Sequence, residues 1–206
     1  IVVRYAARGL QRALVLAGKG NNGGDGYVIA RHLLDNDWDV LTLVLAKEEE
    51  VAGDAAVNLT ALANCGGQII YLKNDDELYA VLDDADEFSV VVDALFGTGL
   101  SRKLKDRFAA AVQFINNLAQ RQHWPVAAVD MPSGLSGRTG MTLGCAVQAD
   151  LTVTFALPKP GHYLHGGSAV GKLAVADIGI PPQATAAAHL SGELLERQSI
   201  APLLPP

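Results

Sequence analysis

A glycine-rich loop between an apolar run and an amphipathic run most constrains how this chain can fold. The loop reads Gly-Lys-Gly-Asn-Asn-Gly-Gly-Asp-Gly over residues 18–26, follows the apolar residues 13–17 and precedes the amphipathic residues 27–34. This order predicts a strand, a turn and the start of a helix, which together direct backbone N–H groups and the helix dipole towards a ligand. We therefore expect a strand–helix unit that carries a binding loop.

The polar residues of this loop distinguish it from a simple phosphate-binding turn. The spacing Gly-x-Gly-x-x-Gly from residue 18 satisfies the dinucleotide fingerprint, which alone is weak evidence. Asp25 is expected in the first helical turn, where a carboxylate caps a helix but repels a pyrophosphate on the same amides. The loop is thus expected to place amide side chains and a carboxylate around its ligand.

Apolar runs alternate with helix-like stretches along the rest of the chain. Continuous apolar runs are typical of strands buried on both faces of a parallel sheet. After the first, they occupy residues 40–46, 68–72, 89–93, 126–130, 151–156 and 173–178. Helices are predicted over residues 53–64, from residue 75, and over residues 108–119. This alternation predicts an α/β doubly wound sandwich.

Composition excludes several classes of protein. Half of the 206 residues are hydrophobic, which is enough for one large domain. No apolar run approaches the roughly 20 residues of a membrane span, and the start of the chain has no signal-peptide pattern. The net charge of −6 argues against a nucleic-acid partner, whose binding surfaces show a basic excess. We expect a cytoplasmic protein that binds neither membrane nor nucleic acid.

Two more polar segments are predicted at the same edge of the sheet, because ligands of open parallel sheets bind beyond the carboxyl ends of the strands. Asp93 ends one apolar run and precedes Gly97-Thr98-Gly99, and Asp130 ends the next and precedes Met131-Pro132-Ser133. An ionised Asp beside an apolar core has to be compensated. Two such aspartates are expected to lie opposite the polar loop at residues 18–26. This arrangement favours a functional site over the alternative that each aspartate only caps a turn.

Other candidates carry less information. Lys159, in a rigid Pro-Lys-Pro turn, fits a surface role and a site role equally well. His162 and His165 have no partner at a diagnostic spacing and are interpreted as solvated loop residues.

Oxygen donors such as Asn, Asp and Ser make a metal site plausible but disfavour zinc. Residues 97–99, with Arg102 and Lys103, can bring backbone amides and positive charge to a phosphate.

Three motifs, in this order and spacing, resemble the NAD(P)H-hydrate epimerase family. They are the loop at residues 18–26, Val-Asp-Ala-Leu-Phe-Gly-Thr-Gly-Leu from residue 92, and Val-Asp-Met-Pro-Ser-Gly-Leu from residue 129. The resemblance runs from about residue 14 to residue 181. It implies a Rossmann-like three-layer α/β/α sandwich with a mostly parallel central sheet. It also implies an isomerase that interconverts the R and S forms of hydrated NADH and NADPH (NADHX and NADPHX) in nicotinamide nucleotide repair.

The resemblance further implies roles for particular residues. Asn22, Asp93 and Ser133 would hold one potassium ion (K+) per subunit, and no redox cofactor is needed because the dinucleotide is the substrate. Asp130 is expected to be the catalytic acid, with a pKa raised by its apolar neighbours. The expected substrate-binding residues are Asn21, Asn22, Gly23, Gly24, Asp25, Gly97, Thr98, Gly99, Leu100, Ser101, Arg102, Lys103 and Asp130.

The resemblance also predicts domains and partners. Residues 1–181 are expected to form the epimerase domain, largely without the N-terminal helical segment usual in the family. Residues 182–206 are expected to be a linker towards a fused dehydratase domain, and a homodimer is expected. Ser101 displaces the basic residue that the family has after Gly-Thr-Gly-Leu, so either Arg102 or Lys103 can take its place.

Two other functions remain open from the sequence. One is a noncatalytic nucleotide-binding or scaffolding relative with the same fold, although the intact loop and both strand-end aspartates weigh against it. The other is an NAD-dependent dehydrogenase, which needs an acidic residue after the second strand to bind ribose. Glu48 is the only candidate there, and it fits poorly.

Overall fold

The computed structural model describes residues 11–72, 77–78, 80, 88–165, 167–188 and 194. The strands are β1 (Arg12–Ala17), β2 (Asp39–Val44), β3 (Gln68–Tyr71), β4 (Val90–Ala94), β5 (Val126–Val129), β6 (Leu151–Phe155) and β7 (Lys172–Ala176). The helices are α1 (Asn21–Leu34), α2 (Gly53–Asn64), α3 (Asp106–Gln122), α4 (Gly167–Val170) and α5 (Pro182–Ala187). Single 3-10 turns cover Glu48–Glu50 and Pro160–His162. The helix predicted from residue 75 lies mostly outside the described residues.

The strands form one parallel sheet in the order β3-β2-β1-β4-β5-β6-β7. The chain builds the sheet outward from β1 to β3, returns to place β4 beside β1, and then continues to β7. The order therefore reverses between β1 and β4, and ligands of such sheets bind at that switch point. The predicted parallel α/β fold is confirmed.

Alternating side chains of the strands supply two apolar cores, one on each face of the sheet. Val90 and Val92 pack on the face covered by α1 and α2, whereas Val91 packs on the face covered by α3. The expectation of burial on both faces holds for β1 and β4 and is wrong for β3 and β7, whose residues are exposed or only partly buried. These two are edge strands, with a neighbouring strand on one side only.

Helix α1 approaches the sheet closely because it carries glycines where it touches other backbone. A Cβ atom on Gly26 would lie 2.5 Å from the Cβ atom of Ala94, and one on Gly23 would lie 1.8 Å from the carbonyl oxygen of Gly18. No larger residue fits at these two positions. The glycines of the loop therefore serve close packing of the helix as well as the shape of the turn.

The chain divides into two compact units, Ile1–Ala176 and Asp177–Pro206. The second unit contains α5, within the tail that the sequence predicts to be a linker. The predicted boundary at residue 181 stays a prediction. No helix among the described residues has the length and apolar character needed to cross a lipid bilayer.

Candidate functional site

A cavity of about 1230 Å³ lies at the carboxyl edge of the sheet, beside the switch point. It is bounded by the loop after β1, the segment after β4 and the start of α3. Most of the predicted substrate-binding residues line it: Asn21, Asn22, Asp25, Gly97, Thr98, Gly99, Leu100, Arg102, Lys103 and Asp130. The structure therefore brings the three sequence motifs to one cavity.

Three of the predicted substrate-binding residues do not line this cavity. Gly23 and Gly24 are buried in α1, where they face the backbone of Gly18 and Ala55. Ser101 is exposed to solvent instead. Arg102 and Lys103 both line the cavity, so the geometry does not choose between them. The sequence analysis missed Lys105 and Arg107, which add positive charge to the same wall.

Asp130 follows β5 and lies at the centre of a hydrogen-bond network. Its backbone N–H donates to the carbonyl of Val153 at 2.8 Å, and its φ of +64° is in the left-handed region. Lys159 Nζ and Thr154 Oγ1 donate to its Oδ1 at 2.6 and 2.9 Å. The N–H of Thr98 donates to Oδ2 at 3.3 Å. The carboxylate is therefore held on both oxygens.

This network lowers the pKa of Asp130. Burial alone would raise the pKa, but the hydrogen bonds and charge of Lys159, with the hydrogen bonds from Thr154 and Thr98, outweigh it. The predicted rise of this pKa is therefore wrong. The neighbours of Asp130 in sequence are apolar, as expected, but the opposing cation comes from 29 residues further along the chain.

His162 connects Lys159 to Asp130 through their backbones. The N–H of Lys159 donates to Nδ1 of His162 at 3.0 Å, so Nε2 carries the ring proton and donates to the carbonyl of Asp130 at 2.9 Å. The residue is only 3% exposed, and burial lowers its pKa. The interpretation of His162 as a solvated residue is therefore wrong, whereas His165 is exposed as expected.

Lys159 and Thr154 could have been found from the sequence. Lys159 Nζ also donates to Thr154 Oγ1 at 2.7 Å and to the carbonyl of Phe155 at 3.1 Å, so the ammonium group is fixed at the end of β6. The strand-end argument that selected Asp93 and Asp130 applies equally to the end of this strand. It assigns both residues to the same edge of the sheet.

Asp93 lies at the carboxyl end of β4 and is completely buried. Ser133 donates to it twice, from the backbone N–H to Oδ2 at 2.7 Å and from Oγ to Oδ1 at 2.6 Å. The N–H of Leu95 donates at 3.3 Å. Burial raises the pKa of Asp93 to about 6, against the lowering effect of these bonds, and no basic side chain of the described residues contributes. Within the described ranges, the carboxyl group of Asp93 therefore has no counter-charge from the protein.

The three predicted ion ligands meet around residues 96–97. The N–H of Phe96 donates to Ser133 Oγ at 2.9 Å. A Cβ atom on Gly97 would lie 2.9 Å from Oδ1 of Asn22, whose buried Nδ2 has no hydrogen-bond partner within the described part of the chain. No cluster of three or more His, Cys, Asp or Glu side chains among the described residues could hold a metal ion. The donors available here are instead one carboxylate, one amide and one hydroxyl.

Asp25 is another of the carboxyl groups that line the cavity, with Glu50, Asp106 and Asp130. Helix α1 begins at Asn21 and has no acidic residue in its first turn, so Asp25 lies in the second turn and is not a cap. The predicted first-turn position is wrong because the helix includes Asn21 and Asn22. Burial, followed by the charge of Asp130, raises the pKa of Asp25.

Comparisons with known proteins show the family of this chain. The sequence model of the family described as YjeF-related protein N-terminus matches residues 2–161. The chain is 42% identical to the bifunctional NAD(P)H-hydrate repair enzyme Nnr of Moorella thermoacetica over 90% of its own length and 34% of that protein. It is 38% identical to the NAD(P)H-hydrate epimerase of Oenococcus oeni over 83% of its own length and 76% of that protein. The chain thus spans about a third of the bifunctional relative.

A solved structure supports the fold. The crystal structure of yeast ynu0 superposes with a TM-score of 0.73, covering 96% of this chain and 82% of that one. The sequences are only 20% identical. At this identity the likeness concerns the arrangement of strands and helices alone.

Proposed function

Because this chain belongs to the family of YjeF-related protein N-termini, we propose that it is an NAD(P)H-hydrate epimerase. Such an isomerase interconverts the R and S forms of NADHX and NADPHX. Relatives named NAD(P)H-hydrate epimerase, from Oenococcus oeni and Pirellula staleyi, are each 38% identical to this chain, which covers 76% and 74% of their lengths. The observation that carries the proposal is the cavity at the switch point, into which the loop, residues 97–103 and Asp130 all converge.

Epimerisation at the hydroxylated ring carbon needs an acid and a base. An acid protonates the ring hydroxyl, the lone pair of the ring nitrogen expels water, and water then returns to the other face. Asp130 was expected to be the acid, but its lowered pKa keeps it ionised near neutral pH. We assign it instead the removal of a proton from the returning water. Lys159, at 2.6 Å, stabilises the carboxylate until that transfer.

The cavity wall suggests how the dinucleotide is oriented. Arg102, Lys103, Lys105 and Arg107 line one side, with Asp106 as the one acidic residue among them. Asp25 lies in α1 on the other side, where Lys19 and Glu50 form an ion pair. A pyrophosphate is therefore expected nearer residues 97–103 than the amides before Asp25. A complex with the pyrophosphate on the amides of residues 20–23, as in a dehydrogenase, would contradict this orientation.

Asn22, Asp93 and Ser133 fit one potassium ion per subunit. The buried carboxyl group of Asp93 has no basic partner among the described residues, and the other two donors are neutral. A single negative charge suits a weakly charged cation better than zinc or magnesium. When bound, the ion would supply the counter-charge that Asp93 lacks and stabilise the turn at residues 96–97. No redox cofactor takes part in this chemistry.

The proposed setting follows from the relatives. The chain matches about a third of the length of each bifunctional relative. This partial match supports a dehydratase domain fused after residues 182–206 in the full-length protein. We further propose a homodimer, a cytoplasmic location, and no membrane or nucleic-acid partner. Sedimentation of the full-length protein tests the dimer directly.

Incubation of the chain with one separated epimer of NADHX tests the activity. Chromatography should show conversion to the other epimer, and Asp130→Asn should slow it by about 10²–10⁴-fold while dinucleotide binding persists. Asp35→Asn, an exposed change at the far end of α1, is the matched control. Binding without conversion would indicate a noncatalytic relative, and hydride transfer would indicate a dehydrogenase.

A further inference from the structure

Asp25 is a half-buried carboxyl group of the cavity to which the proposed function has not yet given a chemical role. Its side chain lines the cavity together with Asp130. Asp130 accepts hydrogen bonds from Lys159, Thr154 and Thr98, whereas the carboxyl group of Asp25 accepts none from the described residues. Asp25 is therefore available to a ligand.

The position of Asp25 is fixed by its neighbours. Gly24 and Gly26 flank it, and a Cβ atom on them would lie 3.2 Å from Ala55 Cα and 2.5 Å from Ala94 Cβ. These contacts hold the backbone on both sides of Asp25 against α2 and β4. A side chain on a backbone held this closely is positioned before the substrate arrives, as a catalytic group has to be.

Asp25 and Asp130 approach the cavity from different strands. Asp25 is in the helix that follows β1, and Asp130 follows β5, while β4 lies between these two strands in the sheet. Each carboxyl group senses the other, because the charge of Asp130 contributes to the raised pKa of Asp25. Asp25 and Asp130 therefore reach the cavity from separate elements of the fold, and their pKa values shift in opposite directions.

Epimerisation is the reaction for which such a pair is suited. The hydroxyl leaves from one face of the ring and water returns to the opposite face, so proton transfer is needed on both faces. One fixed group cannot reach both faces unless the ring turns over. Two groups that reach the ring from separate elements of the fold can serve one face each.

We propose that Asp25 is a second catalytic residue, which acts on the ring face opposite to Asp130; this inference rests on the proposed epimerase activity. In one direction, protonated Asp25 gives its proton to the ring hydroxyl, the C–O bond breaks, and the nitrogen lone pair forms the C=N bond. Water then forms a new C–O bond on the other face, gives a proton to Asp130, and returns the electron pair to nitrogen. The reverse direction exchanges the two roles.

Oxygen-18 exchange distinguishes two groups from one. Each pure epimer of NADHX is incubated with the chain in H2(18)O, and label in the remaining starting epimer and in its partner is measured separately. Asp130→Asn should lose epimerisation yet still exchange oxygen in one epimer, by loss and return of water on the Asp25 face. Asp25→Asn should exchange oxygen in the other epimer only, and should slow epimerisation by about 10²-fold or more.

The controls separate this inference from the epimerase proposal itself. Wild type that converts neither epimer removes the proposed function, whereas Asp25→Asn that converts both at the wild-type rate removes only the role of Asp25. Loss of exchange in both epimers from Asp130→Asn also overturns it. The oxygen exchange of Asp130→Asn therefore still tests the role of Asp25 if Asp25→Asn does not fold. Asp35→Asn should behave as wild type in every measurement.

Discussion

Asp93 and Asp130 lie at the ends of neighbouring parallel strands, and their pKa values shift in opposite directions. Burial raises the pKa of Asp93 to about 6, and hydrogen bonds from Ser133 and Leu95 only moderate the rise. Burial acts in the same sense on Asp130, yet its pKa falls. The two residues differ in burial and in partners. Asp93 is 0% exposed and has neutral donors, whereas the Asp130 side chain is 13% exposed and pairs with the ammonium group of Lys159.

The comparison shows that hydrogen bonds and charge are not interchangeable near a core. Three hydrogen bonds from neutral donors do not offset the rise in pKa that burial causes at Asp93. At Asp130, one cation at 2.6 Å together with the hydrogen bonds from Thr154 and Thr98 more than offsets that rise. A buried carboxylate without a cation is either protonated or dependent on an ion from solution. The two residues thus require different experiments.

Removal of the Lys159 charge should have the largest effect. Lys159→Met leaves Asp130 buried without its cation, which raises its pKa and should reduce kcat/KM at neutral pH by about 10²–10³-fold. Because the ionised form is needed as a base, the loss of activity on acidification should begin at a higher pH than in wild type. Measurement of kcat/KM against pH checks both effects. Lys172→Met, exposed on β7, should leave the profile unchanged.

The stability of the wild-type chain in potassium-free buffer should depend on pH through Asp93. Because its folded-state pKa is raised from 3.8 to about 6, the folded chain holds this proton more tightly than the unfolded chain. The resulting stabilisation is complete below about pH 4 and is lost as the pH rises through about 6, roughly 3 kcal/mol in total. Urea unfolding at several pH values should show this decline in wild type relative to Asp93→Asn.

Addition of potassium tests whether the proposed ion binds at Asp93. Potassium chloride, compared with choline chloride at equal ionic strength, should stabilise wild type above pH 6, where Asp93 is ionised, and should not stabilise Asp93→Asn. Asp130 contributes with the opposite sign, since its lowered pKa gives stability above about pH 4 that is lost on acidification. Equal potassium responses of wild type and variant would contradict the proposed ion site.

Replacing Gly97 by alanine should disturb the packing between Asn22, a proposed ion ligand with Asp93, and the carboxyl group of Asp130. The added Cβ atom of Gly97→Ala would lie 2.9 Å from Oδ1 of Asn22 and 3.0 Å from Oδ2 of Asp130. Overpacking of this kind costs about 1–3 kcal/mol, so epimerisation should slow about tenfold. Gly167→Ala, which meets no atom within 4 Å, is the matched control. Unchanged rates in both variants would show that these side chains can move apart freely.

Thr154→Val should have the smallest effect. It removes the hydrogen bond from Thr154 to Asp130 and the one from Lys159 to Thr154, but keeps the ion pair between Lys159 and Asp130. Loss of the neutral bond to Asp130 costs about 1 kcal/mol and slows the reaction about fivefold. Its pH profile should shift in the same direction as that of Lys159→Met, but less. A larger shift than in the lysine variant would show that the neutral bond, and not the charge, sets the pKa of Asp130.

The fold was largely predictable because its signals are local. Apolar runs, the glycine-rich loop and the helix over residues 53–64 are each visible within about fifteen residues of sequence, and the structure places α2 at Gly53–Asn64. The exposure of β3 and β7 was not predictable in this way, because their position at the two edges depends on the order of all the strands.

The site was predictable only in part. The strand-end argument found Asp93 and Asp130, and the structure brings both to the expected edge of the sheet. It could not give the sign of the pKa shift of Asp130, since that sign depends on Thr154 in β6 and on Lys159 in the turn after it. His162 was misjudged because its contact with the carbonyl of Asp130 spans 32 residues, although its other partner, the N–H of Lys159, is local.

The left-handed backbone of Asp130 has an evolutionary consequence. With a φ of +64°, this position favours glycine and tolerates asparagine or aspartate, whereas other residues are strained there. Glycine there would relieve the backbone but would leave the ammonium group of Lys159 without the carboxylate at 2.6 Å. In a lineage released from selection for epimerisation, Asp130 and Lys159 are therefore expected to be lost together, and loss of the pair rather than of the aspartate alone marks that release.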